Sequence, residues 1–209
     1  MWAARPLPEA AVREATRELS LSLLHWLQTD APRHDGGLGY PEWQPASDMP
    51  GSNDGLALAL YVHESRRIVG RSTLTQWDVQ APPQQRHDAV AIAWYNLDMH
   101  PTCISGQGCN APVQPFELPL GVFMPARGGN VIPGCKNIAT TQLAGACTRV
   151  HPGGWAIGEV AGLLAAHALR EGWPDTPAQV QRLQLALDRT GVARPWPEHL
   201  LAQAASKAH

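Results

Sequence analysis

The sequence predicts an α/β or α+β fold, a mixed sheet in the middle of the chain flanked by helices toward both ends. Three observations predict it. Apolar residues near both ends recur at three- and four-residue steps, the period of an amphipathic helix. Between about 56 and 125, strand-forming residues gather in short runs cut by glycine and proline. And 209 residues, 44% of them hydrophobic, suffice to bury a core as one domain or two small lobes.

The first element is a helix over 8–28, where Val12, Ala15, Leu19, Leu23 and Trp26 form one apolar stripe. Pro8 stands at its start and Pro32 after its end, as helix boundaries prefer. Residues 30–55 are too rich in glycine and proline for a regular element, yet they carry Tyr40 and Trp43, which a solvated linker does not need. Residues 56–79 read as extended through Val62, Ile68, Val69, Leu74 and Val79, with Gly70 as a bulge or turn. Residues 88–100 form a strand that ends on Asp98 and His100. A loop over 101–115, a strand over 116–125 and a strand over 137–142 follow. The spacing then predicts helices over 154–170, stopped by Gly172, and over 177–189, opened by Thr176-Pro177 and stopped by Gly191. The alanine-rich tail from about 197 is expected to fray.

Composition narrows the function. Formal net charge is −2, from 16 Lys+Arg against 18 Asp+Glu, so no basic field stands ready for nucleic acid. The longest apolar runs, 89–95 and 160–169, fall far short of the roughly 18 residues a membrane span needs. Neither nucleic acid nor a membrane is expected as a partner. Cys103, Cys109, Cys135 and Cys147 form no Cys-x-x-Cys pair, which argues against structural zinc. The expectation is reduced cysteines in a cytoplasmic protein; a Cys103–Cys109 disulfide is the alternative in an oxidising compartment. Glu9, Glu14 and Glu18 precede the first leucines, so the N-terminal stretch does not read as a secretory signal.

Three places carry candidate chemistry. In 134–162 a strand runs through a small-residue loop into a glycine-rich helix start. Gly153 and Gly154 would let a ligand approach backbone N–H groups closely, and the positive helix end favours an anion or an electron-rich carbonyl. Gly158, Ala161 and Gly162 keep one helix face flat, which plain close packing explains more readily than a ligand does. Asp98 and His100 stand two apart at a strand end and project to one side, so the carboxylate can orient the imidazole for proton transfer. His151 joins them if the fold brings the segments together. A metal site from His100, Cys103 and Cys109 is disfavoured by its irregular spacing, and none is expected. Arg66 and Arg67 point to opposite strand faces, so one can reach an anionic group while the other makes a structural ion pair.

Taken in order, several segments resemble the C-terminal part of FAD-dependent oxidoreductases of the glutathione-reductase-like type. They are His25-Trp26-Leu27-Gln28-Thr29, the stretch 51–55, Glu64-Ser65-Arg66-Arg67-Ile68, Asp98-Met99-His100, the stretch 119–125, Asn137-Ile138, and Arg149-Val150-His151-Pro152 running into Gly158-x-x-Ala161-Gly162. The resemblance covers about 15–192 and implies FAD as cofactor. It implies that Gly153, Gly154, Trp155, Ile157 and Gly158 lie beside the isoalloxazine, with Arg149 and His151 near it. Asp98, His100 and His151 then face the substrate, and Arg66 or Arg67 binds its anionic group. By the same resemblance, 1–130 is the substrate side, 131–195 closes the flavin site and 196–209 is a tail.

The family's glycine-rich turn between a first strand and a helix, which grips the ADP moiety, has no counterpart. Gly106-x-Gly108 has no helix after it, and Gly36-Gly37-x-Gly39 follows a helix rather than a strand. The expectation is therefore a partial chain, with a small-molecule substrate and with a partner chain or a homo-oligomer covering its exposed faces. The alternative is a non-catalytic remnant or split subunit that needs a separate dinucleotide-binding partner.

Overall fold

Helix α1, Glu9–Thr29, confirms the first predicted element to within a residue at each end. In this computed structural model the described residues are 8–46, 48, 52–63, 66–83, 85–101 and 106–206. The chain divides into two compact units, Met1–Val62 and His63–His209.

The first unit is α1 and the segment that folds back along it. None of the 21 helix residues is buried, and Leu19, Leu23 and Trp26 of the predicted stripe lie exposed. The chain returns over the helix end through Gly39 N–H to Ala31 carbonyl and Tyr40 N–H to Leu27 carbonyl, both 2.9 Å. Gly39 must be glycine, because φ is +71° and a Cβ would sit 2.3 Å from the Gln28 carbonyl oxygen. Tyr40 stacks on Trp43 with centroids 4.6 Å apart, and the Arg33 guanidinium lies over the Tyr40 ring at 5.4 Å. These contacts account for the two aromatic residues in the glycine-rich stretch.

The second unit holds the core. Strand β1, Ala89–Ala93, pairs antiparallel with a later strand, Phe116–Pro119, in the register Ala89↔Pro119 to Ala93↔Phe116, with an irregularity at Ala89/Ala91. Strand β2, Leu97–Met99, pairs antiparallel with β3, Cys109–Ala111. The strand paired with β1 is β4. Helix α2 is Gln76–Gln80 and α3 is Gln142–Thr148. Helix α4, His151–Glu171, packs on β1, and α5, Pro177–Thr190, packs on α4. Phe123, Leu118, Ile138, Ile157, Leu164, Leu183 and Leu187 fill the space between them without exposure. Helix α6, Glu198–Ser206, forms where fraying was expected. The α+β class stands.

Several elements differ from expectation. Residues 56–79 make no strand among the described residues. Gly70 and Leu74 make single bridges, to Pro125 and Thr140, and α2 starts where Asp78 accepts from the backbone N–H and hydroxyl of Thr75. The predicted strand over 88–100 breaks at Trp94–Asn96 into two, and the one over 116–125 turns at Pro119 into a 3₁₀ turn, Leu120–Val122. The small-residue loop is helix α3, because Thr141 caps it, accepting from Ala144 N–H at 3.3 Å, and Ala144, Gly145, Ala146 and Cys147 are small enough to bury. Helix α4 begins three residues early, at His151, since Pro152 suits a first turn.

Candidate functional site

The start of α4 carries most of the residues singled out above. Val150 caps it, and Gly154 N–H returns to the Val150 carbonyl at 2.8 Å. The amides before that first intrahelical bond point out of a 21-residue helix, the end that favours negative charge. Gly153 is buried, and a Cβ there would lie 2.8 Å from the Thr148 carbonyl oxygen, so its smallness serves the α3–α4 corner. Gly154 is half-buried and more open, with Cys135 Sγ nearest at 3.9 Å. A Cβ on Gly158 would meet the Gly134 carbonyl at 3.6 Å, so the flat stripe of α4 passes beneath 134–135. Ile157 is fully buried and sets the first turns of α4 on the core. Trp155 is 69% exposed, and its ring centroid lies 6.4 Å from that of His151.

Beside this corner lies a cavity of about 430 Å³ lined by Trp94, Tyr95, Cys147, Val150, Pro152, Gly153 and Trp196, among others. Trp94 and Trp196 meet edge to face at 6.1 Å, and their indole N–H groups donate to the carbonyls of Val113 and Phe116. Burial pushes the Cys147 thiol up to about 11, against the opposing charge of Arg149. It therefore stays protonated near neutrality and is no nucleophile.

The second cluster gathers two imidazoles around the end of β2. β2 places Asp98, and His100 follows directly, with His100 Nε2 3.5 Å from Asp98 Oδ2. His63 joins them: its ring centroid lies 4.4 Å from that of His100, at 37°. Arg149 donates to the main-chain carbonyl of Asp98. Desolvation by its neighbours, then the charges of His100, Arg149 and Lys136, lower the pKa of the exposed His63, with Asp98 opposing. Among the described residues no ring or ionic contact joins His151 to this cluster. Arg66 is exposed, whereas Arg67 is half-buried with its guanidinium against Gly145 of α3. Sequence reasoning missed His63 and the indole pair; 8 Trp against 2 Phe is the one signal for the latter.

Gly51, Glu64 and Ser65, which help carry the family resemblance, lie outside the described residues, as does Cys103 of the alternative disulfide and the disfavoured metal site. Among the described residues no group of three or more His, Cys, Asp or Glu could hold a metal ion. No helix there is long and apolar enough to cross a membrane.

An α+β protein whose longest core helix opens on glycines, next to imidazoles and a guanidinium, is the class that fold and site define. The family model for FAD dependent oxidoreductases matches residues 2–187, and the chain belongs to that family. No curated protein and no solved structure matches it.

FAD is the cofactor of the family. The residues present fit the ring end of that group, since the face of Gly154 is open and the amides of the α4 start are aimed outward. The ADP end has no counterpart among the described residues, where both named sheets are antiparallel pairs and no glycine turn links a strand to a helix.

Proposed function

We propose that this chain is the substrate side and flavin-ring-closing part of an FAD-dependent oxidoreductase. The start of α4 meets the pyrimidine end of the ring through the N–H groups of His151 and Gly153, with Trp155 and Gly158 flanking it and Arg149 and His151 beside it. Bound FAD supplies the hydride chemistry, and the chain's own groups orient and tune. Asp98 holds His100 in the orientation a proton transfer needs, and Arg66 is placed to approach an anionic group from solvent. The observation that carries this reading is the open face of Gly154 at the first turn of α4, within a chain that belongs to the family. The dinucleotide grip then comes from outside the described residues, and the unburied stripe of α1 is a face for whatever supplies it.

Titration with riboflavin, FMN and FAD, read by quenching of flavin fluorescence, tests this. A site for the ring alone binds all three within about threefold of one another, under 1 kcal/mol apart. FAD binding a hundredfold tighter than riboflavin means that ADP contacts exist in this chain, and absence of quenching by all three removes the ring site.

A further inference from the structure

We infer that Trp94, Trp196 and Val150 wall a binding site for an uncharged, planar aromatic ring, one part of a small-molecule substrate. That the ring belongs to a substrate rests on the reading of this chain as the substrate side of a flavoenzyme; the ring site itself does not.

The site is the cavity of about 430 Å³ beside the start of α4, a size that small-molecule pockets share. Its walls come from segments far apart in sequence: β1 with Trp94 and Tyr95 after it, Cys147 of α3, the start of α4, and Trp196 beyond α5. Trp94 and Trp196 set their planes at 88° with centroids 6.1 Å apart, and so make a corner. A flat ring that stacks on one indole meets the other at a right angle, and these are the two arrangements aromatic pairs prefer. An aliphatic group of the same size gains only the buried area. Both indoles are held in place beforehand. Their N–H groups donate to the carbonyls of Val113 at 3.1 Å and Phe116 at 2.9 Å, in the stretch that leads into β4. Those bonds spend the indole donors and leave the ring faces and edges for a ligand. Trp94 still has 48% and Tyr95 40% of its surface exposed, although the core beside them is closed. Apolar surface left open in a concave wall is surface that a ligand can take out of water.

Charge narrows the ligand further. Among the described residues no charged side chain lines the cavity. Cys147 Sγ is turned to the Leu143 carbonyl at 3.8 Å, and its thiol stays neutral. An ion entering here sheds water and finds no opposite charge in the wall. The face open to a flavin is a different one. Gly154 and Gly158 look toward Cys135 and Gly134, whereas Val150, Pro152 and Gly153 line the cavity.

The probe is coumarin, which is flat, uncharged and bicyclic, measured on the full chain by equilibrium dialysis. Beside it run coumarin-3-carboxylate, its charged counterpart, and δ-valerolactone, which keeps the lactone and lacks the benzene ring. Coumarin is expected to bind saturably, the carboxylate at least about tenfold more weakly, and valerolactone not measurably. Val150→Phe fills the cavity with a ring of its own, and Trp94→Leu removes one side of the corner. Each should weaken coumarin at least about tenfold. Val150→Phe adds apolar bulk and removes none, so its melting temperature should hold and the loss then reports the cavity. Trp77→Leu, at a residue 73% exposed on α2, should change nothing. No saturable coumarin binding, equal binding of the carboxylate or valerolactone, or full binding to Val150→Phe overturns the inference. So does competitive displacement of coumarin by riboflavin, which makes the cavity the flavin's own. Loss of riboflavin quenching with coumarin binding intact removes the flavin reading alone.

Discussion

Gly153 and Gly154 are neighbours with opposite tolerances. A Cβ on Gly153 collides with the Thr148 carbonyl, so Gly153→Ala should lower stability by about 1–3 kcal/mol, read from denaturant midpoints. Gly154 has room, and an acidic residue in a first helical turn is favourable, so Gly154→Asp should be neutral or stabilising by about 0.3–1 kcal/mol. The same carboxylate opposes the negative charge of a reduced flavin, so riboflavin quenching should fall. A higher melting temperature with quenching unchanged would remove the cofactor from this segment. At Cys147 the folded thiol loses its proton at about 11 against 9.0 for the ordinary group. Folding thus favours the neutral form, so the contribution is full below about pH 9 and is lost as pH rises toward 11. Alkylation followed by peptide mass spectrometry should label Cys109 and Cys135, both exposed, at pH 8 and reach Cys147 only on unfolding.

Caps decide much at the scale of the element. In α5 the Thr176 hydroxyl accepts from Gln179 N–H at 3.3 Å while the Gln179 side chain accepts from Thr176 N–H at 3.0 Å, and Gly191 ends the helix at φ +85°. Thr176→Ala should cost about 1 kcal/mol by thermal or urea denaturation. Period made α1, α4 and α5 legible in sequence, helped by Pro8 and Pro32 around α1, Gly172 after α4, and Thr176-Pro177 and Gly191 around α5. Helix α3 was not legible, because its seven residues are too few to show a period and its alanines and glycine resemble a loop. The strand formers of 56–79 misled because Ile68 and Leu74 are drawn in by hydrogen bonds to Asn137 and Ala139 one at a time, not by a ladder. For the site, the spacing of Asp98 and His100 gave their meeting. Nothing in the sequence placed His63 against His100, since that contact is made by the tertiary fold.

Across the whole molecule the two units are unequal. Among hydrophobic residues described in Met1–Val62, Ala31 alone is buried, whereas His63–His209 holds the rest of the core. A 1–62 fragment should therefore melt without cooperativity by circular dichroism, and a 63–209 fragment with it. The purified chain should associate in solution through the exposed stripe of α1, and Leu19→Ser, at a residue 71% exposed, should reduce association in sedimentation without changing the melt. The amide of Gln184 donates to the carbonyls of His87 (2.9 Å) and Ala89 (3.0 Å), which a small sheet would otherwise leave unanswered along the outer margin of β1. That single side chain takes the seat of a missing strand. With those two carbonyls taken, they are closed to an added strand, the kind of pairing by which open sheet edges join chain to chain.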